Sequence, residues 1–249
     1  GIYRPVKLSI ISSVAVSEWG VFITTLEVSE KSALVNIEVS IDNLLSIDAN
    51  VTCSAVLTGP DKTTIDLEIK NTLIKSGDKG SIQLSGNIPN PVLWDIDDPA
   101  LYTASVKIYS EGSQTDSYTS SFGIRSISYS PENGFLLNGK EVLMKGGCLH
   151  HDNGILGAAA FKAAEYRRVR IMKENGFNAI RTSHNPPSND FLNACDELGM
   201  LVIDEAFDHW LRPKRSNDYS NYFEEWHVKD IQSMVYRDRN HPSIVMWSF

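Results

Sequence analysis

The stretch that decides the fold runs from Asn178 to Ile203 and reads NAIRTSHNPPSNDFLNACDELGMLVI. Ala179–Ile180 predicts a short strand, and Ser188 predicts the N-cap of a helix that ends at Gly199. The apolar run Met200–Ile203 then predicts a strand covered on both faces, as in a parallel sheet. Strand, helix and strand in this order form the unit from which parallel α/β sheets are built.

The same alternation extends to both sides of this stretch. An apolar strand at Val142–Met144 and a helix at Ala163–Asn175 are predicted before it. A helix at Phe223–Arg237 and a strand at Ile244–Trp247 are predicted after it. The order β-α-β-α-β-α-β predicts parallel α/β architecture with about three βα units and a fourth strand.

The first half of the chain instead has the residue pattern of β-strands. Val21–Val28 is rich in β-branched residues, and Ala33–Ile41 alternates polar with apolar side chains. Further predicted strands are Val51–Leu57, Thr63–Ile69, Gly80–Leu84, Tyr102–Tyr109 and Asp116–Phe122. Seven or so short strands without a convincing helix predict an antiparallel β-sandwich of immunoglobulin-like size.

Composition narrows the range of partners. The 249 residues contain 23 Lys and Arg against 31 Asp and Glu, a net charge of −8, which disfavours nucleic acid and anionic membranes. The apolar runs are far shorter than the roughly 18 residues of a membrane span. Cys53, Cys148 and Cys195 fit neither a disulfide framework nor a zinc site, and we expect three buried small side chains. The sequence does not indicate a cellular compartment, periplasmic, secreted or cytoplasmic.

Polar residues gather just beyond the strand ends of the second half. They are His150, His151 and Asp152, then Arg181, Ser183, His184 and Asn185, then Asp204, Glu205, Asp208 and His209. In a βα barrel these carboxyl ends face the same rim, where substrates bind. With Trp210 and Trp247 nearby, such a rim suits a hydroxyl-rich ligand that both hydrogen-bonds and stacks on aromatic faces.

Simpler interpretations compete with this one. His150 and His151 are also compatible with solvated loop residues or zinc ligands. The sequence supplies no third zinc ligand, so we predict no metal. Arg181 is equally compatible with a structural ion pair to Asp204 or Glu205. Those two adjacent carboxylates point in opposite directions on a strand, which argues against a catalytic pair that straddles one bond.

Several segments resemble glycoside hydrolase family 2, the family of β-galactosidases and β-glucuronidases. The barrel motifs are Asn178–Ile203, quoted above, and Arg237–Phe249, which reads RDRNHPSIVMWSF. LNGKEVLMKGGCLHHD at Leu137–Asp152 resembles the start of that barrel. PVLWDIDDPALY at Pro91–Tyr102 and the segment Phe122–Arg125 resemble the immunoglobulin-like domain of the family, and Gly1–Val6 resembles the tail of its sugar-binding jelly roll.

The resemblance implies three regions. They are a jelly-roll tail at residues 1–12, an immunoglobulin-like β-sandwich at 13–127, and the first half of a (β/α)8 TIM barrel at 128–249. Because a whole barrel requires about 250 residues, the chain is expected to be a fragment with an incomplete barrel. The unpaired edges of a half-barrel predict self-association or a homo-oligomer, with exposed apolar residues around Ile244–Trp247.

The implied chemistry is retaining hydrolysis by two glutamates about 5 Å apart. In the family the acid/base follows the fourth strand as Gly-Asn-Glu and the nucleophile follows the seventh, so both are expected beyond Phe249. The sequence segments Cys148–Asp152 and Asp204–Asp208 most resemble the β-galactosidase branch. We therefore expect an inactive part of an exo-β-galactosidase. The alternatives are a β-glucuronidase, a β-mannosidase or a non-catalytic sandwich interaction module.

The resemblance also suggests roles for individual residues. His150 and His184 stand where the family places histidines that contact the glycone, and Arg181, Asn185, Asp204 and Glu205 are expected to support the site. Asn185 replaces a tyrosine found in many members. Asp208-His209 stand where some β-galactosidases have the Glu-x-His pair that ligates magnesium, so no metal and no cofactor are predicted.

Overall fold

The computed structural model describes residues 4–249, which form two compact units. One unit, here the sandwich unit, comprises Lys7–Ser128 and Leu136–Lys140. The other, here the barrel unit, comprises residues 4–6, Tyr129–Phe135 and Glu141–Phe249. The predicted jelly-roll tail lies partly outside the described residues, and its residues 5–12 belong to no helix or strand.

The sandwich unit consists of two antiparallel sheets. One has the order β1-β2-β6, with strands β1 (Val14–Val28), β2 (Ser32–Asn43) and β6 (Lys79–Pro89). The other has the order β4-β3-β7-β8, with β5 also pairing with β3. Its strands are β3 (Ala49–Thr58), β4 (Thr64–Asp66), β5 (Lys70–Ile74), β7 (Tyr102–Ser110) and β8 (Ser113–Phe122).

The alternation of β2 explains the core of this unit. Ala33, Val35, Ile37, Val39 and Ile41 are all completely buried, whereas the residues between them are partly exposed. They pack in one cluster with the inward residues of both sheets, which confirms the predicted sandwich. The single strand predicted at Thr63–Ile69 is wrong. Leu67 leaves the strand and turns into the core, so β4 and β5 pair with successive segments of β3.

Residues 127–141 form a small three-stranded sheet, and its residues are divided between the two units. Its order is β11-β10-β9, with β9 (Ile127–Ser130), β10 (Gly134–Leu137) and β11 (Lys140–Glu141).

The barrel unit alternates strands and helices as predicted. Its elements are β12 (Gly146–Leu149), α1 (Lys162–Glu174), β13 (Ala179–Thr182), α2 (Asn189–Leu198), β14 (Leu201–Glu205), α3 (Phe223–Asp238) and β15 (Ile244–Ser248). The four strands form one parallel sheet of order β12-β13-β14-β15. An incomplete barrel of three βα units and a fourth strand is thereby confirmed.

The first strand of this sheet was predicted in the wrong place. Val142–Met144 lies outside the sheet, and Leu143 is 74% exposed. Glycine is required at position 146 because β12 approaches β13 closely: a Cβ on Gly146 would lie 2.8 Å from the carbonyl oxygen of Ala179. A run of apolar residues was therefore a poorer guide than the two glycines that follow it.

Local signals set the helix between β13 and β14. The Ser188 hydroxyl accepts a hydrogen bond from the backbone N–H of Phe191 at 3.2 Å, and Gly199 ends the helix with φ 67°. The helix buries Phe191 and Leu192 against Val202 of β14. The expected exposure at β15 holds for Met246, which is 42% exposed, whereas Ile244 and Val245 are buried.

None of the helices in residues 4–249 combines the length and apolar character that a membrane crossing requires.

Candidate functional site

The carboxyl ends of β13 and β14 present an arginine and a glutamate to each other. Arg181 donates through Nε to one carboxylate oxygen of Glu205 and through Nη2 to the other, at 2.7 Å. Glu205 is buried, whereas the Arg181 side chain is 40% exposed. Burial alone would raise the pKa of Glu205, but hydrogen bonds from Arg181 and His184 outweigh it and lower that pKa. Glu205 is thus held as a carboxylate.

The two predicted substrate-contacting histidines lie side by side. The His184 ring follows a cis Ser183–His184 peptide bond and meets the His150 ring edge-on, with centroids 5.1 Å apart. His184 Nδ1 lies 3.2 Å from Glu205 Oε1, and its Nε2 lies 3.7 Å from Asp208 Oδ1. The imidazole therefore stands between two carboxylates.

A loop after β14 supplies the second of these carboxylates. Lys214 Nζ donates to Asp208 Oδ1 at 2.6 Å and lowers the pKa of that carboxyl. Asp218 fixes the loop by accepting the backbone N–H groups of Lys214 and Arg215 at 2.6 and 2.7 Å. Lys214 and Asp218 were missed from the sequence, because no strand end or periodic pattern marks them.

Arg181, His184, Glu205, Asp208 and Lys214 open onto one cleft of about 860 Å³, whereas His150 lines a separate small cavity. It is lined by Arg181, His184, Glu205, Phe207, Asp208, His209, Trp210, Leu211, Arg212, Pro213, Lys214, Ser248 and Phe249. Trp210 is 58% exposed and offers an aromatic face beside charged donors and acceptors. Such a lining can hydrogen-bond hydroxyl groups and stack against the C–H surface of a ring.

Asp204 lies on the other side of β14, where the helices pack. It is completely buried, and its Oδ1 is 3.5 Å from the Thr182 hydroxyl. Burial, followed by the negative charge of Asp238, raises the pKa of Asp204 to about 8. Asp238 is itself paired with Arg237, whose Nε donates to Asp238 Oδ1 at 2.6 Å. Asp204 and Glu205 thus point to opposite faces, as the strand geometry predicted.

The remaining predicted site residues are only partly brought together. Asn185 donates its N–H to the Thr182 carbonyl and lines a small cavity next to His150, away from the large cleft. Asp204 also lies outside the cleft lining. The roles of His150, His184, Arg181, Asn185, Asp204 and Glu205 stay predictions. Within residues 4–249, no group of three or more His, Cys, Asp or Glu residues is arranged to hold a metal ion.

The chain matches two models of one protein family. "Glycosyl hydrolases family 2" matches residues 15–125, and "Glycosyl hydrolases family 2, TIM barrel domain" matches residues 131–249. Two curated proteins are similar over the whole chain. Beta-galactosidase BoGH2A of Bacteroides ovatus is 40% identical, and a putative beta-glucuronidase of Formosa agariphila is 35% identical. The chain covers 29% and 23% of their lengths.

A solved structure shares the fold. The glycosyl hydrolase family 2 member from Bacteroides cellulosilyticus DSM 14838 superposes with a TM-score of 0.90 at 41% identity. The match covers 99% of this chain and 33% of that one. The chain thus spans about a quarter to a third of the length of the relatives that it matches.

Proposed function

The chain belongs to glycosyl hydrolase family 2, and from that premise we propose that it forms part of a retaining exo-glycosidase that hydrolyses terminal β-galactosides. The similarity to a beta-galactosidase at 40% identity over the whole chain supports this substrate. In this proposal residues 13–127 are the sandwich domain and residues 128–249 are the first half of the catalytic barrel.

The observation that carries the proposal is the Arg181–Glu205–His184 cluster at the carboxyl ends of β13 and β14. Glu205 accepts hydrogen bonds from both other side chains, and the cluster opens onto the cleft that Trp210 lines. Neutral sugars offer hydroxyl groups to such donors and acceptors and a C–H face to an aromatic ring.

Within this proposal the residues take distinct roles. His150 and His184 contact the glycone, Arg181 and Glu205 hold His184 in place, and Asn185 and Asp204 support the loop and strand around them. The acid/base and nucleophile glutamates lie in sequence beyond Phe249. The chain alone is therefore expected to show no turnover of a chromogenic β-galactoside.

The test uses the full-length protein that contains this chain, assayed with the p-nitrophenyl β-galactoside, β-glucuronide and β-mannoside. We expect the highest kcat/KM for the galactoside. His184→Ala should lower kcat/KM by about 10- to 100-fold, the range of one lost polar contact of about 1–3 kcal/mol. His227→Ala is the matched control, because His227 lies on α3 outside the cleft. Turnover by the isolated chain, or equal effects of both variants, would contradict the proposal.

A β-glucuronidase is the second candidate, favoured by two observations. Arg181, Arg212 and Lys214 line the cleft and outnumber its carboxylates Glu205 and Asp208, with which Arg181 and Lys214 pair. A putative beta-glucuronidase is also 35% identical. A preference for the glucuronide in the same assay would select it. No activity on any of the three glycosides would favour a non-catalytic module.

A further inference from the structure

A second, smaller cavity lies between the ends of β12 and β13 and the helices α1 and α2. Its wall includes His150, Glu165, Arg168 and Ser183, and it shares no lining residue with the large cleft. It leaves about 10 Å³ for the centre of a water molecule. That volume is close to the roughly 10–15 Å³ that one buried water requires.

Glu165 presents an unsatisfied oxygen to this cavity. The side chain is 1% exposed, and within residues 4–249 its buried Oε1 has no hydrogen-bond partner. Its Oε2 has a single long contact, 3.3 Å from Arg168 Nη1. A buried carboxylate with an unpaired oxygen is costly, because that oxygen gives up its hydration without a replacement.

Ser183 presents a second such oxygen. The residue is 2% exposed, and its buried Oγ also lacks a hydrogen-bond partner in the described part of the chain. The hydroxyl approaches the Cys148 sulfur and, with Arg181, lowers the pKa of that thiol. Sulfur is a weak acceptor, and this contact leaves the lone pairs of the hydroxyl oxygen free. The two residues that carry these buried oxygens thus line the same small cavity.

We propose that this cavity binds one water molecule, held between Glu165 Oε1 and Ser183 Oγ, and that the resulting cluster positions His150. Charge and size select the occupant. Arg168 in the wall disfavours a cation, Glu165 disfavours an anion, and the volume matches one water. A water molecule donates to the carboxylate and exchanges a second hydrogen bond with the hydroxyl.

Arg168 transmits this arrangement to the rim of the site. It contacts Glu165 through Nη1 and donates through Nη2 to the His150 carbonyl at 2.6 Å. The water and Glu165 thus fix the guanidinium, and the guanidinium fixes the backbone that carries the His150 ring. Glu165 is in this sense a positioning residue. The contact of His150 with the glycone rests on the proposed function; the water site does not.

The first test is a crystal structure of the full-length protein at about 1.8 Å resolution or better. We expect a single peak about 2.6–3.2 Å from both Glu165 Oε1 and Ser183 Oγ. Ser183→Ala should shift or remove the peak, Glu165→Leu should remove it, and Glu174→Gln, exposed on the same helix, should leave it in place. Direct contact of Glu165 Oε1 with a protein group, or a peak with five or six oxygens near about 2.4 Å, as for a cation, would overturn the water site. So would a peak that stays unmoved in Ser183→Ala.

The second test reads the position of His150 in solution. In Glu165→Gln the imidazole ¹⁵N and ¹H signals of His150 should shift, whereas those of His227 should not. Unchanged His150 signals would refute the positioning role. Neither readout depends on hydrolysis, so a failed activity assay and a failed water site remain distinguishable.

Discussion

The two units bury different chemistry. In the sandwich unit the buried polar side chains are uncharged, such as Asn43, whose amide donates to three backbone carbonyls. In the barrel unit the buried residues include five with carboxyl groups: Glu165, Asp196, Asp204, Glu205 and Asp238. Burying charge costs free energy unless each group is paired or neutralised. The barrel unit thus buries carboxyl groups, among them Asp204 with its raised pKa, whereas the buried polar side chains of the sandwich unit are uncharged.

The largest expected effect lies in the sandwich unit and should not depend on pH. Ile37 is completely buried at the centre of β2. Ile37→Ala removes several buried methyl and methylene groups and leaves a cavity, so we expect the free energy of unfolding to fall by about 2–5 kcal/mol. Urea unfolding, with hydrogen exchange of β2 peptides, measures the loss. Leu26→Ala, at a residue 63% exposed, is the control, and a loss that varies with pH would break the comparison.

The next effect belongs to the barrel unit and depends on pH. The pKa of Asp204 is raised from 3.8 to about 8 in the folded protein, first by burial and then by Asp238. Between these values the folded state holds a proton that the unfolded state releases. The free energy of unfolding should therefore fall as the pH rises from about 4 to about 8 and level off above it.

Asp204→Asn should remove this slope. The Asn amide resembles a protonated carboxyl and can still donate to Asp238, without an ionisable proton. Each pKa unit corresponds to about 1.4 kcal/mol. Asp238 and Arg237 interact with the same proton, so we expect less than the full effect of the pKa shift. From about pH 5 to about pH 9 the free energy of unfolding of the wild type should fall by roughly 2–4 kcal/mol more than that of the variant. Parallel urea titrations across pH measure the difference. Asp66→Asn, at an exposed position in β4, should keep the wild-type slope; equal slopes in all three proteins would contradict the assignment.

The sequence predicted the units better than the contacts within them. The alternation of β2 and the order of strands and helices follow from local periodicity, which one sequence carries in full. The displaced first barrel strand shows the limit. Gly146 of β12 is selected by the approach of Ala179, some thirty residues away, and an apolar run beside it gave a stronger local signal.

The same limit applies to the candidate site. Its strand-end residues were found because parallel strands deliver their ends to one edge. The pairing of Arg181 with Glu205 was left open, because two adjacent carboxylates are equivalent until the direction of each side chain is known. Lys214 and Asp218 act through a loop whose conformation depends on their own contacts, and Glu165 looked like an ordinary helix residue.

The smallest expected effect tests whether the pH dependence of the free energy of unfolding comes from the barrel unit as a whole or only from its buried carboxyl groups. Ser188 is a buried but uncharged cap of α2, accepting from Phe191 N–H at 3.2 Å. Ser188→Ala leaves that N–H without its acceptor and should lower the free energy of unfolding by about 1 kcal/mol, while Ser188→Gly should cost only a few tenths. Urea unfolding near pH 5 and near pH 9 measures both. Because the bond involves no ionisable group, the loss should be equal at the two values. A loss that changes with pH would place the sensitivity in the packing of the whole unit rather than in its buried carboxylates.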